Sequence, residues 1–172
     1  LVEGKTPYKS IGVDSISETH IFALLSILDA EQANRRDANL LQQQDYGKAT
    51  TQMRRLLRSF RDLPMHVFFT ALARDIVEPK VGQVKVPALA GQLAEEIPGM
   101  MDVSGYLALT REKDSKTGEE YDARSLLLKG FSQFRVKIRT AWASEDVPDY
   151  LDNPSVTQLL DVLKFSYPVV QP

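Results

Sequence analysis

Asp14 and Ser15 follow directly on the apolar run at residues 10–13, so a carboxylate and a hydroxyl stand at the end of a short buried segment. A carboxylate on the C-terminal edge of a strand is where α/β sheets hold ligands and Mg2+. The same two residue types also serve as plain helix caps, because a short oxygen-bearing side chain satisfies the first free N–H groups of a helix. The residues alone leave both roles open. Gly4, Lys5 and Thr6 have the types that close a phosphate loop, but that loop needs another Gly five residues before Gly4 and a helix right after Thr6. Pro7 and a strand starting near Ser10 leave no room for the helix, so phosphate binding there is not expected. Arg135, Lys137 and Arg139 alternate with Val136 and Ile138, which sets three cations on one face of a strand, the pattern of an exposed sheet face. His20 and His66 have no third ligand near either, so both are expected to be structural and a zinc site is not expected.

These groups have to be positioned by one ordinary domain. The chain has 172 residues, 43% hydrophobic and 26% charged, and a fold of that length buries roughly 70% of its unfolded surface without a staple. The absence of Cys excludes a disulfide scaffold, a zinc ribbon and a thiol nucleophile, and it fits a reducing compartment. No apolar run approaches the ~20 residues of a membrane span, and the start Leu1-Val2-Glu3-Gly4-Lys5 is not a signal peptide. A soluble, cytoplasmic protein with no membrane partner is therefore expected. The net charge of -2 is unevenly spread. Over residues 32–61, Arg35, Arg36, Lys48, Arg54, Arg55, Arg58 and Arg61 face only Asp37 and Asp45. From residue 141 onward, Glu145, Asp146, Asp149, Asp152 and Asp161 face only Lys164. A basic middle suits an anionic ligand and an acidic end suits a head-to-tail neighbour, while a solvated surface accounts for either run as well.

After the strand at 10–13, Ile21, Leu24, Leu25 and Leu28 recur at helical spacing, and Ser15 with Glu18 forms a capping-box pair, so a helix starts at Ser15 or Ser17. Residues 32–46 are polar and aperiodic and read as a frayed helix end and a loop. Met53, Leu56, Leu57 and Phe60 form one apolar stripe of a second helix, ended by Pro64. Residues 65–70 form an apolar β-prone run suited to a strand covered on both faces, and the intervening helical length predicts a parallel pair with the first strand. Residues 73–86 are a loop or irregular hairpin. Leu89, Leu93 and Ile97 make a short helix closed by Pro98 and Gly99. Residues 103–111 and 121–128 are strands of an antiparallel hairpin turning at 113–118, and 134–139 is a further strand. Asn153 and Pro154 supply the cap and first turn of a last helix with Val156, Leu159, Leu160 and Leu163 on one stripe.

In the order 10–18 (SIGVDSISE), 44–47 (QDYG), 66–71 (HVFFTA) and 85–91 (KVPALAG), these segments resemble the C-terminal two thirds of a phage-encoded RecA-like nucleotide-binding protein, a P-loop group associated with single-strand annealing and recombination. The resemblance spans about residues 10–153 and rests on the order of short motifs. It implies an α/β fold, a RecA-like core fragment forming a single domain over 1–172, with a mixed sheet whose parallel strands are extended by an antiparallel hairpin and whose helices lie on both faces. It implies ATP and Mg2+ as cofactors of a longer parent. Asp14 and Ser15 then correspond to the Walker B end that holds the metal, and Thr70 to the strand tip that senses the γ-phosphate. Ala71 departs from the pattern, since the polar sensor glutamine of RecA is absent there, and the phosphate loop and catalytic glutamate are not in this chain.

The same alignment implies two loops that touch single-stranded DNA. The first is 32–46 with Arg35, Arg36, Gln42, Gln43 and Gln44, and the second is 73–85 with Arg74, Lys80 and Lys85. Cations on phosphates and glutamines on sugars or bases give sequence-tolerant, salt-sensitive binding. Lys137 and Arg139 match the Lys-x-Arg pair by which some RecA-like rings and filaments reach the neighbouring subunit's nucleotide, so self-association into a ring or filament is implied. The expectation is thus part of an ATPase acting on single-stranded DNA. A non-catalytic α/β interaction module, in which Asp14 merely caps a helix, is the alternative.

Overall fold

The computed structural model describes residues 8–30, 40–129, 132–139 and 147–163. The chain is a mixed α/β protein whose residues divide into two compact units, Leu1–Arg74 with Pro87–Glu95, and Asp75–Val86 with Glu96–Pro172.

In the first unit, strand β1 (Ser10–Val13) leads into helix α1 (Ile16–Ala30), then helix α2 (Gln43–Arg61) and strand β2 (His66–Phe69). β1 and β2 pair in parallel, as expected, from Ser10 opposite His66 to Val13 opposite Phe69. The four β2 residues are half-buried rather than covered on both faces. α1 turns Ile16, Ser17, His20, Leu24 and Ile27 inward, whereas Ile21 and Leu25 of the expected stripe are 47% and 45% exposed. The helix is apolar on more than one side, so two regular stripes compete and only the packing chooses between them.

α2 begins earlier than expected. Residues 43–46 form its first turn instead of a loop, because the Asp45 carboxylate, fully buried, accepts the Gln42 N–H at 2.7 Å and satisfies the helix start. Ala49, Met53 and Leu57 are at most 1% exposed, with Ala49 packing against Leu24 and Ile27 of α1. Phe60 meets Phe69 of β2 edge-to-face, ring centres 5.8 Å apart.

His20 is 4% exposed, and its buried Nε2 has no hydrogen-bond partner among the described residues. Burial lowers its pKa below the usual 6.5. The unfolded chain therefore takes up the proton more readily, so this group's stabilisation is complete above about pH 6.5 and is lost as pH falls through the depressed value. Melting temperature should decline with acidification from pH 7 to 5, and His20→Leu should decline less steeply. His66, shifted in the same direction by burial, leaves part of the slope in that variant.

The second unit holds most of the strand pair β3 (Ala73–Glu78) and β4 (Gly82–Pro87). Of the two alternatives left open for 73–86, the chain adopts the hairpin, and Gly82, at φ 85°, leaves the turn in a conformation that favours glycine. Helix α3 (Leu93–Met100) runs through Pro98 instead of ending there. Its last carbonyls find a partner: Lys137 Nζ donates to Gly99 O at 2.7 Å and to Met101 O at 3.3 Å. Strand β5 (Val103–Ser104) pairs antiparallel with β8 (Lys137–Ile138). β6 (Tyr106–Lys113) and β7 (Glu120–Leu127) form the expected antiparallel hairpin, and β9 (Tyr150–Asp152), within the acidic segment from residue 141 onward, pairs with β7.

The strand expected at 134–139 shrinks to the two residues of β8. Phe134 forms an isolated parallel bridge with Lys85 outside that strand, its ring tilted 33° to that of Tyr106 with centres 4.4 Å apart. Helix α4 (Val156–Leu163) is capped by Ser155, whose Oγ accepts the Gln158 N–H at 3.1 Å. Asn153, the expected cap, instead adopts φ 42° and accepts the Arg124 N–H. Val84, Val86, Ile97, Ala123, Leu128, Val147 and Leu151 are buried in this unit.

Candidate functional site

The C-terminal ends of β1 and β2 meet in the first unit, and Asp14 and Thr70 sit there. Thr70 N–H donates to Val13 O at 3.1 Å, and Ile16 N–H donates to Thr70 O at 2.9 Å, so the tip of β2 is tied to the start of α1. The buried Ser17 hydroxyl adds a third tie by accepting the Leu72 N–H at 3.1 Å. Sequence reasoning missed Ser17. Its signal was a polar residue on the inward face of the first helical turn.

These backbone ties bring two side chains together from positions 56 residues apart: the Thr70 hydroxyl donates to Asp14 Oδ1. Asp14 is exposed, and its other carboxylate oxygen has no hydrogen bond to a described residue. The cap role falls to Ser15 alone, whose Oγ accepts the Glu18 N–H at 3.3 Å while its carbonyl accepts from the Thr19 N–H and hydroxyl. Asp14 is therefore left as an oriented, solvent-facing carboxylate beside the partly positive start of α1. One free carboxylate oxygen suits a hard cation that takes its remaining ligands from phosphates and water, as Mg2+ commonly does. Among the described residues no three His, Cys, Asp or Glu side chains cluster into a metal cage.

The other sequence-derived residues lie elsewhere. Gln42 is the N-cap of α2, and Gln43 and Gln44 occupy its exposed first turn, with Gln44 Nε2 donating to Gln42 Oε1 at 2.9 Å. Arg35 and Arg36 lie outside the described residues, as do Gly4, Lys5 and Thr6, Glu145, Asp146 and Lys164. Arg74 is exposed on β3, and Lys80 is exposed in the turn that follows. Lys85 is on β4, where the Asp75 carboxylate at 2.9 Å holds its ammonium above the usual lysine pKa.

All three alternating cations have partners within the second unit. Arg135 pairs with Glu78, Lys137 caps α3 as described, and Arg139 Nη1 is 3.5 Å from Asp102 Oδ1. The Arg139 pair is more than 60% exposed on both sides, a setting in which ion pairs contribute little. Its guanidinium separates from Asp102 at small cost, whereas Lys137 is committed to two carbonyls.

Compared with known proteins, residues 2–140 match a family model described as an AAA domain. No curated protein matches the chain, and no solved structure matches it.

Proposed function

We propose, from the premise that this chain belongs to the AAA domain family, that it is part of a RecA-like ATPase working on single-stranded DNA in phage recombination or replication. The observation that carries this reading is the meeting of the Asp14 carboxylate and the Thr70 hydroxyl at the ends of two parallel strands. An α/β sheet takes its ligands at that edge. Asp14 offers an unoccupied oxygen to the metal side of an ATP site, Thr70 fixes the carboxylate's orientation, and Ser15 holds the helix start that follows. Bound Mg2+ supplies neutralisation of charge on the nucleotide oxygens.

The DNA side of this reading assigns Arg35, Arg36, Gln42, Gln43 and Gln44 to one contact and Arg74, Lys80 and Lys85 to another. Arg139, with Lys137 behind it, is assigned to a neighbouring subunit's nucleotide in a ring or filament, in the cytoplasm of a bacterial host. The commitment of Lys137 to the α3 carbonyls favours a second reading, a non-catalytic α/β interaction module.

Titration calorimetry with Mg-ATP tests the nucleotide reading. No G-x-x-x-x-G-K-[ST] stretch occurs in the 172 residues, and without its backbone N–H groups the phosphates have no cradle. The chain alone should show no micromolar binding, whereas a longer protein in which it follows a phosphate loop should bind. Micromolar binding by the 172 residues misplaces the loop. Failure of the longer protein to bind removes the nucleotide reading and leaves the interaction module.

A further inference from the structure

Helix α2 turns a cationic stripe to solvent on the side away from its core. Gln44, Lys48, Thr51, Arg55 and Arg58 are spaced four, three, four and three residues apart, which on a 3.6-residue helix is one straight face. Each of them is exposed, opposite the buried Ala49, Met53 and Leu57. The only carboxylate on the helix, Asp45, is fully buried and engaged with the Gln42 N–H, so no acid of α2 neutralises that face. Arg61 pairs with Asp62 at 2.9 Å. Arg55 and Arg58 differ, since their guanidiniums make no hydrogen bond or ion pair among the described residues. At its N-terminal end the stripe also walls an open groove of about 660 Å³, closed on the other side by Ser26, Ile27 and Ala30 of α1.

We propose that this stripe is a track for the sugar-phosphate backbone of a single-stranded nucleic acid, running on from Gln44 along α2. The proposal rests on the DNA reading above and extends it from the loops to a helix. Guanidiniums without a carboxylate partner are the groups that gain most from a phosphate, because they lose no existing ion pair and bind two oxygens at once. Gln44 and Thr51 supply neutral donors of the kind that reach phosphate and sugar oxygens. Lys48 to Arg58 spans ten residues, about 15 Å of helix, long enough for several consecutive phosphates. No aromatic residue lies on the stripe, so bases have no stacking surface and affinity comes from charge. An acidic segment of a second copy, such as the one holding Asp149 and Asp152, is the competing occupant.

Fluorescence anisotropy with a labelled 20-nucleotide oligo(dT), on the full 172-residue chain, tests the track. Arg55→Gln with Arg58→Gln should weaken binding roughly tenfold at 50 mM salt and flatten the log K against log salt slope by about 1.4, the value for two lost phosphate contacts on a single strand. Arg55→Lys with Arg58→Lys keeps both charges and should keep the slope; a loss equal to that of the Gln pair overturns the electrostatic track. If Arg74→Gln with Lys80→Gln weakens binding while the helix pair does not, the track fails and the loop reading survives. If the native chain does not bind oligo(dT) even at low salt, both fail. If the Gln pair leaves DNA binding intact but abolishes self-association in sedimentation velocity, the stripe is a contact between copies and the proposal is overturned.

Discussion

Asp14→Asn in a longer ATPase that contains this chain is expected to lower kcat for ATP roughly a hundred- to a thousandfold, since a metal's charge stabilisation is worth several kcal/mol and each 1.36 kcal/mol is tenfold. The substitution separates chemistry from architecture. Asn keeps an oxygen at Oδ1, so the Thr70 hydroxyl still has its acceptor and only the charge is removed. Asp14 is exposed, which makes a stability change small. Thr70→Val does the reverse, leaving the carboxylate charged but unoriented, and should lower kcat by about tenfold through misplacement. Steady-state kinetics across a Mg2+ titration, with melting temperatures as control, checks both. Unchanged turnover in a normally folded Asp14→Asn protein would remove this carboxylate from the site.

Leu57→Ala should destabilise the first unit by about 3.5 kcal/mol, the middle of the range for emptying a well-packed Leu position. Leu57 is 1% exposed on the inward face of α2, beside Met53 and in line with Ala49, so there is little room for neighbours to collapse into the space left. Two residues earlier, Arg55 is exposed and makes no hydrogen bond or ion pair among the described residues, and Arg55→Ala should change stability by no more than about 0.5 kcal/mol. Urea unfolding of the two variants gives the contrast. Equal midpoints would mean that α2 presents a different face to the core.

Chemistry encoded within a few residues of the chain accounts for part of this architecture. The strand-turn-helix at Asp14 and Ser15 follows from an apolar run, a cap and a helical period. The β6–β7 hairpin follows from two β-prone runs around a polar turn, and the parallel pairing of β1 with β2 follows from the helical length between them. Asp14 was visible as an acid at a strand end, with its two possible roles unresolved.

Tertiary structure alone set the orientation of the Asp14 carboxylate, because its partner, the Thr70 hydroxyl, is 56 residues away and arrives only when β2 docks beside β1, while the cap went to Ser15. The same applies to α1, which has apolar residues on several sides and takes its inward face from α2. Asp45 lies in a polar stretch that reads as a loop, and only in the fold is its carboxylate buried, where it accepts the Gln42 N–H at the start of α2. Lys137 looked like one of three equivalent cations on a strand face, yet the end of α3 leaves carbonyls without N–H donors near it and they claim its ammonium. Periodicity and capping are short-range signals. Which carbonyl, carboxylate or helix face a side chain meets is settled by long-range packing, where an unsatisfied polar group costs more than the local preference it overrides.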